Sequence, residues 1–257
     1  MRRSNATTLR HIADEAGVTP MAVSVVLNGA SSTTRVSEGT RARIVEAAER
    51  LRYQPNAVAR GLSRRCMDTI GVVSVIDGGE VNLYFLEVFN GILEAAATRG
   101  QNTTVFSIAG WGAEEDRILQ FCDGRVDGMI FVAPHQLSPG FVSSLQRHLP
   151  YVTIHGNCDA PAAHNLDVDN EGGAYEMVRY LISLGHRQIA FFGGGDALRG
   201  ADQRFSGWER ALGEAGIPLS ERLFHRGWFN VESGRQRAKA LLAARDEPLP
   251  TAIFCAS

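Results

Sequence analysis

The chain has 257 residues, four cysteines and a formal net charge of −2, long enough for a small headpiece plus a larger α/β domain with its own core. Cys66, Cys122, Cys158 and Cys255 form no CxxC pair, which argues against a zinc or disulfide framework and for a reducing compartment. No apolar run approaches the ~18 residues of a spanning helix, and the amino terminus has no signal-peptide core, so a cytoplasmic protein without membrane contact is expected.

The overall charge hides an asymmetry. Residues 1–65 hold 11 Arg against 5 Asp and Glu, and the remainder holds 15 Arg and Lys against 23 acids. A basic headpiece on an acidic body fits a protein that meets a phosphate backbone at one end only.

After a polar, basic start at Met1 to Asn5, the stretch TTLRHIADEAGVTPMAVSVVLN spans Thr7 to Asn28. Leu9, Ile12, Ala13 and Ala16 fall at i, i+3, i+4 and i+7, the stripe of a helix that begins near Thr8. Gly17 ends it by supplying a left-handed turn, Thr19 caps a second helix, and Pro20 suits its first position. Val23, Val26 and Leu27 then face the first helix, leaving Pro20, Met21, Ser24 and Val25 on or near the outer face. Two short helices joined by a Gly-containing turn form a helix-turn-helix, whose outer face enters a major groove; a helical hairpin inside an all-α core has the same pattern. Thr8, Thr19 and Ser24 suit phosphates, and they equally suit caps.

A small-residue loop, GASSTT, follows. Ser37 caps a third helix with Thr40, Ile44, Ala47, Ala48 and Leu51 as its buried stripe, ending before Pro55. Asn56 then caps a short segment, AVARGLSRR. A helix of about nine residues containing Gly61 is marginal in water, so Ala57 to Arg65 is expected to be loosely ordered alone and to fold on DNA, with a flexible Arg-rich linker as the plainer reading.

From Thr69 strands alternate with helices. Strand-like runs lie at 69–76, 102–109, 128–133, 151–155, 188–194 and 251–256, with helical patterns such as 85–99, 173–184 and 203–215 between them. That alternation predicts βαβ units and a mainly parallel sheet, with ligands beyond the carboxyl ends of the strands.

LRHIADEAGVTPMAVSVVLNG and RVSEGTRARIVEAAERLRYQPNAVARGL resemble the amino-terminal region of the lactose/galactose-repressor family of bacterial transcription factors. TIGVVSVI, VDGMIFVA, VDNEGGAYEMVRYLISLGHRQIAFFGG, RFSGWERAL, ESGRQRAKALL and TAIFCAS extend the resemblance over nearly the whole chain. It implies an all-α helix-turn-helix headpiece (1–54), a hinge helix or linker (55–66), and an α/β, two-lobed, periplasmic-binding-protein-like domain. The first lobe is expected at 67–164 and the second at 165–257. Family members continue past TAIF with an Asn-Asp pair and further strand–helix units, so the second lobe is expected to be incomplete.

The resemblance also implies sites. Pro20, Met21 and Val25 match the base-reading positions, and Leu62 the hinge leucine that wedges into the minor groove. With Thr8, Thr19, Ser24, Asn28, Asn56 and Arg60 they form the expected DNA contacts. The third base-reading position is commonly polar in the family and is Val25 here. An apolar set senses a thymine methyl but makes no bidentate base contact, so specificity is expected to lean on methyl contacts, the hinge and DNA shape.

Effector contacts are expected at Asn82, Tyr84, Phe85, His155, Arg199, Arg204, Phe229 and Ser257. The aromatics suit stacking on a sugar or base, or plugging the lobe; Arg204 suits effector hydroxyls or carboxylates, or a buried structural role; a lone His155 is more often structural. Gly193-Gly194-Gly195 lacks the spacing of a phosphate loop. No catalytic or metal constellation is present, and no cofactor is expected. The expectation is a sequence-specific regulator, a repressor acting as a homodimer on operator DNA and controlled by a sugar-like effector between two lobes. The alternatives are a cytoplasmic solute-binding module and a truncated product with non-specific DNA affinity.

Overall fold

A computed structural model of the chain describes residues 7–29, 35–75, 83–134, 137–156, 164–195, 198–243 and 248–256. Asn82, Cys158, Ser257 and the loop at 30–34 lie outside the described residues. Two compact units divide the chain, one of residues 1–69 with 124–127 and one of 70–123 with 128–257.

Among the described residues the first unit holds four helices. Helix α1 (Leu9–Ala16) ends at Gly17, whose φ of 64° is the left-handed turn its position requires. Helix α2 (Pro20–Asn28) starts on Pro20 and ends at Gly29, also left-handed. Helix α3 (Glu38–Arg50) is capped by Ser37. Ile12, Ala13, Ala16, Ala22, Val23, Ile44, Ala47 and Ala48 are buried together between these three, with Val26, Leu27 and Leu51 packed around them. The Thr7 hydroxyl donates to the Leu51 carbonyl at 2.9 Å, fastening the start of the bundle to the end of α3.

Helix α4 (Ala57–Arg64) occupies the segment expected to be a hinge helix or linker. Asn56 Oδ1 accepts from the Ala59 amide at 3.2 Å, supplying the first-turn partner that a short helix most needs. Its far end is tied by Arg64 Nη2, which donates to the Asn28 carbonyl at 2.9 Å. Of its residues only Gly61 is buried; a Cβ there would lie 2.2 Å from the Met67 sulfur.

The second unit opens with β1 (Thr69–Val75), α5 (Leu83–Thr98), β2 (Asn102–Ile108), a 3₁₀ turn (Gly112–Glu114) and α6 (Glu115–Gln120). It continues through β3 (Gly128–Val132), α7 (Pro139–His148), β4 (Tyr151–Ile154) and β5 (His164–Leu166). Among the described residues these strands form one sheet in the order β2-β1-β3-β4-β5, with parallel pairing from β1 through β5. Val72, Val73, Met129, Phe131 and Val132 are buried on it, and Trp111 and Tyr151 contact the Phe131 ring. Since β5 is this sheet's edge strand, the sheet runs two residues past the expected lobe boundary at 164.

Helix α8 (Asn170–Ser183), β6 (Ile189–Phe192), α9 (Arg199–Glu214), a 3₁₀ turn (Glu221–Leu223), β7 (Phe224–His225), α10 (Val231–Ala243) and β8 (Ala252–Cys255) follow. Their strands pair in parallel in the order β7-β6-β8. Val178, Ile189, Phe191, Trp208, Ala211 and Leu212 are buried together here. Helices α8 and α9 lie close together at Gly207, where a Cβ would stand 2.3 Å from the Glu171 carbonyl oxygen. Both sheets direct their carboxyl ends at the segments that follow the strands, where the candidate ligand residues lie.

Candidate DNA interface and ligand cleft

Helix α2 buries Ala22 and Val23, which turns the opposite face outward. Met21 is 55% exposed, Pro20 is exposed, and Ser24, Val25 and Asn28 are half-buried. Two of the expected phosphate donors are helix caps. Thr8 Oγ1 accepts from the His11 amide while His11 Nδ1 accepts from the Thr8 amide, both at 3.4 Å. Thr19 Oγ1 accepts from the Ala22 amide at 3.3 Å. A hydroxyl that accepts from its helix still has a proton to donate, so capping and phosphate contact are compatible at both positions.

On α4 the Leu62 side chain is 71% and Val58 57% exposed, while Arg60 is half-buried. An exposed leucine on a short basic helix has no folding role to explain it. Asp127 secures the segment that follows: its carboxylate accepts from the amides of Met67 at 2.7 Å and Thr69 at 3.2 Å. Burial pushes this carboxyl up, but those amides and the Cys66 thiol outweigh it and hold it below the usual aspartate value.

Several of the expected ligand residues lie where the strands end. His155 follows β4 with φ 51°; its ring meets Tyr84 edge-on, centroids 5.1 Å apart, and its Nδ1 bonds the Asp167 carboxylate. Asp167, directly after β5, also accepts from the Val168 amide at 2.8 Å and from Asn170 Nδ2 at 3.0 Å. Asn170, which begins α8, donates in turn to Gln203 on α9 at 3.2 Å. It is 4% exposed, and its Oδ1 has no partner among the described residues. Arg204, one residue on, donates to the Ala256 carbonyl at 2.8 Å beyond β8 and stands 5.9 Å from the Phe229 ring centroid.

Burial raises the Tyr84 hydroxyl's pKa, reinforced by the Asp167 charge and opposed by Arg204. Burial likewise lowers that of Arg204, with Asp167 and Tyr84 pulling it back up. One carboxylate, one guanidinium and aromatic faces on facing segments suit a small ligand rich in hydroxyl or ring-nitrogen groups.

Of the expected ligand residues, the structure therefore joins Tyr84 to His155 and Arg204 to Phe229 by direct contact, with His155 bonded to Asp167. Phe229 also packs on the second-sheet core, so it both plugs and faces. Phe85 instead stacks on Phe89, one turn along α5, at 5.7 Å. Arg199 is exposed at the first residue of α9. Sequence reasoning missed Asp167 and Asn170, although both lie within or beside the quoted VDNEGG segment. The available signal was two polar side chains between a strand and a helix, at a carboxyl end.

Residues 8–56 match the model of bacterial regulatory proteins of the lacI family. Residues 69–257 match that of periplasmic binding proteins and the sugar binding domain of the LacI family. The chain is 31% identical over 251 residues to the HTH-type transcriptional repressor PurR of Vibrio parahaemolyticus serotype O3:K6, covering 96% of this chain and 72% of that protein. It is 30% identical over 250 residues to catabolite control protein A of Priestia megaterium, covering 96% and 73%. A solved lac repressor dimer bound to operator and the anti-inducer ONPF is similar with a TM-score of 0.80 and 26% identity, over 98% of this chain and 74% of that one. The transcriptional regulator CelR in complex with cellobiose is similar with a TM-score of 0.64 and 27% identity, over 97% and 73%. With a lacI-type headpiece on a two-sheet, sugar-binding-type body, the chain belongs to the LacI family and is a DNA-binding transcriptional regulator with an effector-binding domain.

Proposed function

We propose that the chain is a cytoplasmic repressor that acts as a homodimer on a near-palindromic operator and is released by a small, sugar-like effector. The carrying observation is the outward face of α2, with Met21 exposed and Ser24 and Val25 beside it, on a headpiece with an excess of six positive charges. Thr8, Thr19 and Ser24 position the backbone, Pro20, Met21 and Val25 read the major groove through apolar contacts, and Asn28, Asn56 and Arg60 flank the hinge. Leu62 is the minor-groove wedge. The working division is headpiece 1–54, hinge 55–66, first lobe 67–164 and second lobe 165–257.

The effector contacts Tyr84, His155, Arg204 and Phe229, with Asn82, Phe85, Arg199 and Ser257 at the margin and Asp167 as the central acceptor. Binding biases the two lobes between arrangements of different DNA affinity, which requires different effector affinity in each. Helix α5, with Leu86 and Leu93 each about two-fifths exposed, is the candidate face for the dimer. The likeness to a lac repressor dimer on operator supports the same reading. It contains no catalytic step.

Selection of genomic DNA fragments on the purified chain at near-physiological salt tests it. A shared palindrome is expected; fragments retained without a common motif, with a steep salt dependence alone, overturn the claim of specificity.

A further inference from the structure

Two loops meet beside Arg204, and one side chain joins them. Gly193 to Gly195 follow β6, and residues 226–230 follow β7 and lead into α10. Arg237, on α10, sets its guanidinium between the two. Nη1 donates to the Gly193 carbonyl at 2.6 Å and more weakly to that of His225 at 3.5 Å. Nη2 donates to the Trp228 carbonyl at 3.1 Å, and Nε to Ser233 in its own helix at 3.1 Å. The group also lies 5.3 Å from the centroid of the Phe192 ring.

A guanidinium is the side chain with donors in enough directions for four carbonyls drawn from separate segments. The glycines around it are shaped to this arrangement. A Cβ on Gly227 would fall 2.4 Å from Ser233 Oγ and 3.1 Å from Arg237 Nε, and one on Gly194 would fall 2.5 Å from the Phe229 ring. Ser233 adds a second anchor, its hydroxyl accepting from the Trp228 amide at 2.9 Å. Trp228 is thus held through both its carbonyl and its amide, while its indole is 67% exposed and lies 3.4 Å from where a Gly195 Cβ would be.

We propose that Arg237 is a positioning residue of the ligand cleft: it locks loop 226–229 onto loop 193–195, holding Phe229 against Arg204 and the Trp228 indole over Gly195. The locking stands on the contacts above; its consequence for ligand affinity rests on the cleft reading. A ligand meeting these two aromatics finds them already ordered, and without Arg237 it must order them itself. Lysine offers a point charge that reaches one or two of the carbonyls, so it restores part of the lock.

The chain's own tryptophans read this out. Trp111 and Trp208 are buried, at 2% and 1% exposure, so Trp228 is the one open to acrylamide. Time-resolved anisotropy of the acrylamide-quenchable emission is measured in the wild type, Arg237→Ala, Arg237→Lys and Ser233→Ala, with Trp228→Phe to assign the signal. The fast, local component is expected to grow most in Arg237→Ala and less in Arg237→Lys and Ser233→Ala, while the buried emission stays unchanged. An unchanged fast component with native buried emission overturns the proposal. If Arg237→Ala fails to fold, the lysine and Ser233→Ala variants decide by the same criterion.

In parallel, thermal shifts with a panel of mono- and disaccharides are measured. A sugar that stabilises the wild type is expected to need an about tenfold higher concentration in Arg237→Ala, which restores two unordered aromatics. A loosened Trp228 in a protein that no sugar stabilises upholds the lock and counts instead against the sugar-like effector. An unaltered sugar dependence despite a loosened loop overturns the positioning role.

Discussion

Helices α2 and α4 carry the same local signals and differ in what holds them. Each is short, each is capped by one polar side chain, Thr19 or Asn56, and each closes on a left-handed residue, Gly29 or Arg65. Helix α2 buries Ala22 and Val23 in a shared core, whereas α4 buries only Gly61 and leaves Val58 and Leu62 in the open. Tertiary packing fixes α2, the proposed reading helix, while α4, the proposed hinge helix, relies on the contacts at its ends.

The largest test of that contrast is in the core. Ile44→Ala, at a fully buried position, is expected to cost the headpiece about 2–5 kcal/mol in denaturant unfolding. Leu62→Ala is expected to change stability by less than about 0.5 kcal/mol and, on its proposed role as the minor-groove wedge, to weaken operator binding in titrations. Equal losses of stability in the two variants would erase the distinction.

Capping changes should divide the same way. Asn56→Ala is expected to remove about 1 kcal/mol, seen as lost amide protection confined to 57–64. Thr19→Ala, of similar size, should lower the melting of all three packed helices together. Arg65→Gly runs in the other direction: φ at Arg65 is 55°, and glycine relieves that strain by about 1 kcal/mol, so α4 should gain protection in hydrogen exchange.

The smallest expected effect is acid loosening beyond α4. Because the folded pKa of Asp127 lies below its unfolded value, its contribution is complete above about pH 4 and is lost as pH falls through the lowered value. Amide shifts of Met67 and Thr69 should move first in an acid titration, and Asp127→Asn should blunt that response.

The headpiece was legible because periodicity, caps and punctuation agree there: Gly17, Thr19-Pro20 and Ser37 mark the ends that the structure shows. The long strands were legible from their β-branched runs to within one or two residues. Strands β5 and β7 were not, since three exposed residues and two residues carry no alternation. Helix α8 begins three residues before the pattern suggested because Asp169 caps it and the Gly172-Gly173 pair reads as a break. The tie from Arg64 to Asn28 was not legible, because helix propensity registers no contact so distant in sequence. Asp167 and Asn170 escaped because isolated polar residues become a site only once β5 and α8 bring them beside His155 and Gln203.

His155 has a further consequence for anyone who sets out to make this regulator tougher. It is a non-glycine residue in the left-handed region, a conformation that costs of order 1 kcal/mol or more, so a search for stabilising substitutions would select glycine there early. That replacement would also delete the ring that links Tyr84 to Asp167. On the proposed role of His155 in the ligand cleft, heat resistance and responsiveness oppose each other at a single position, and a variant improved by melting temperature alone would drift toward a repressor deaf to its signal.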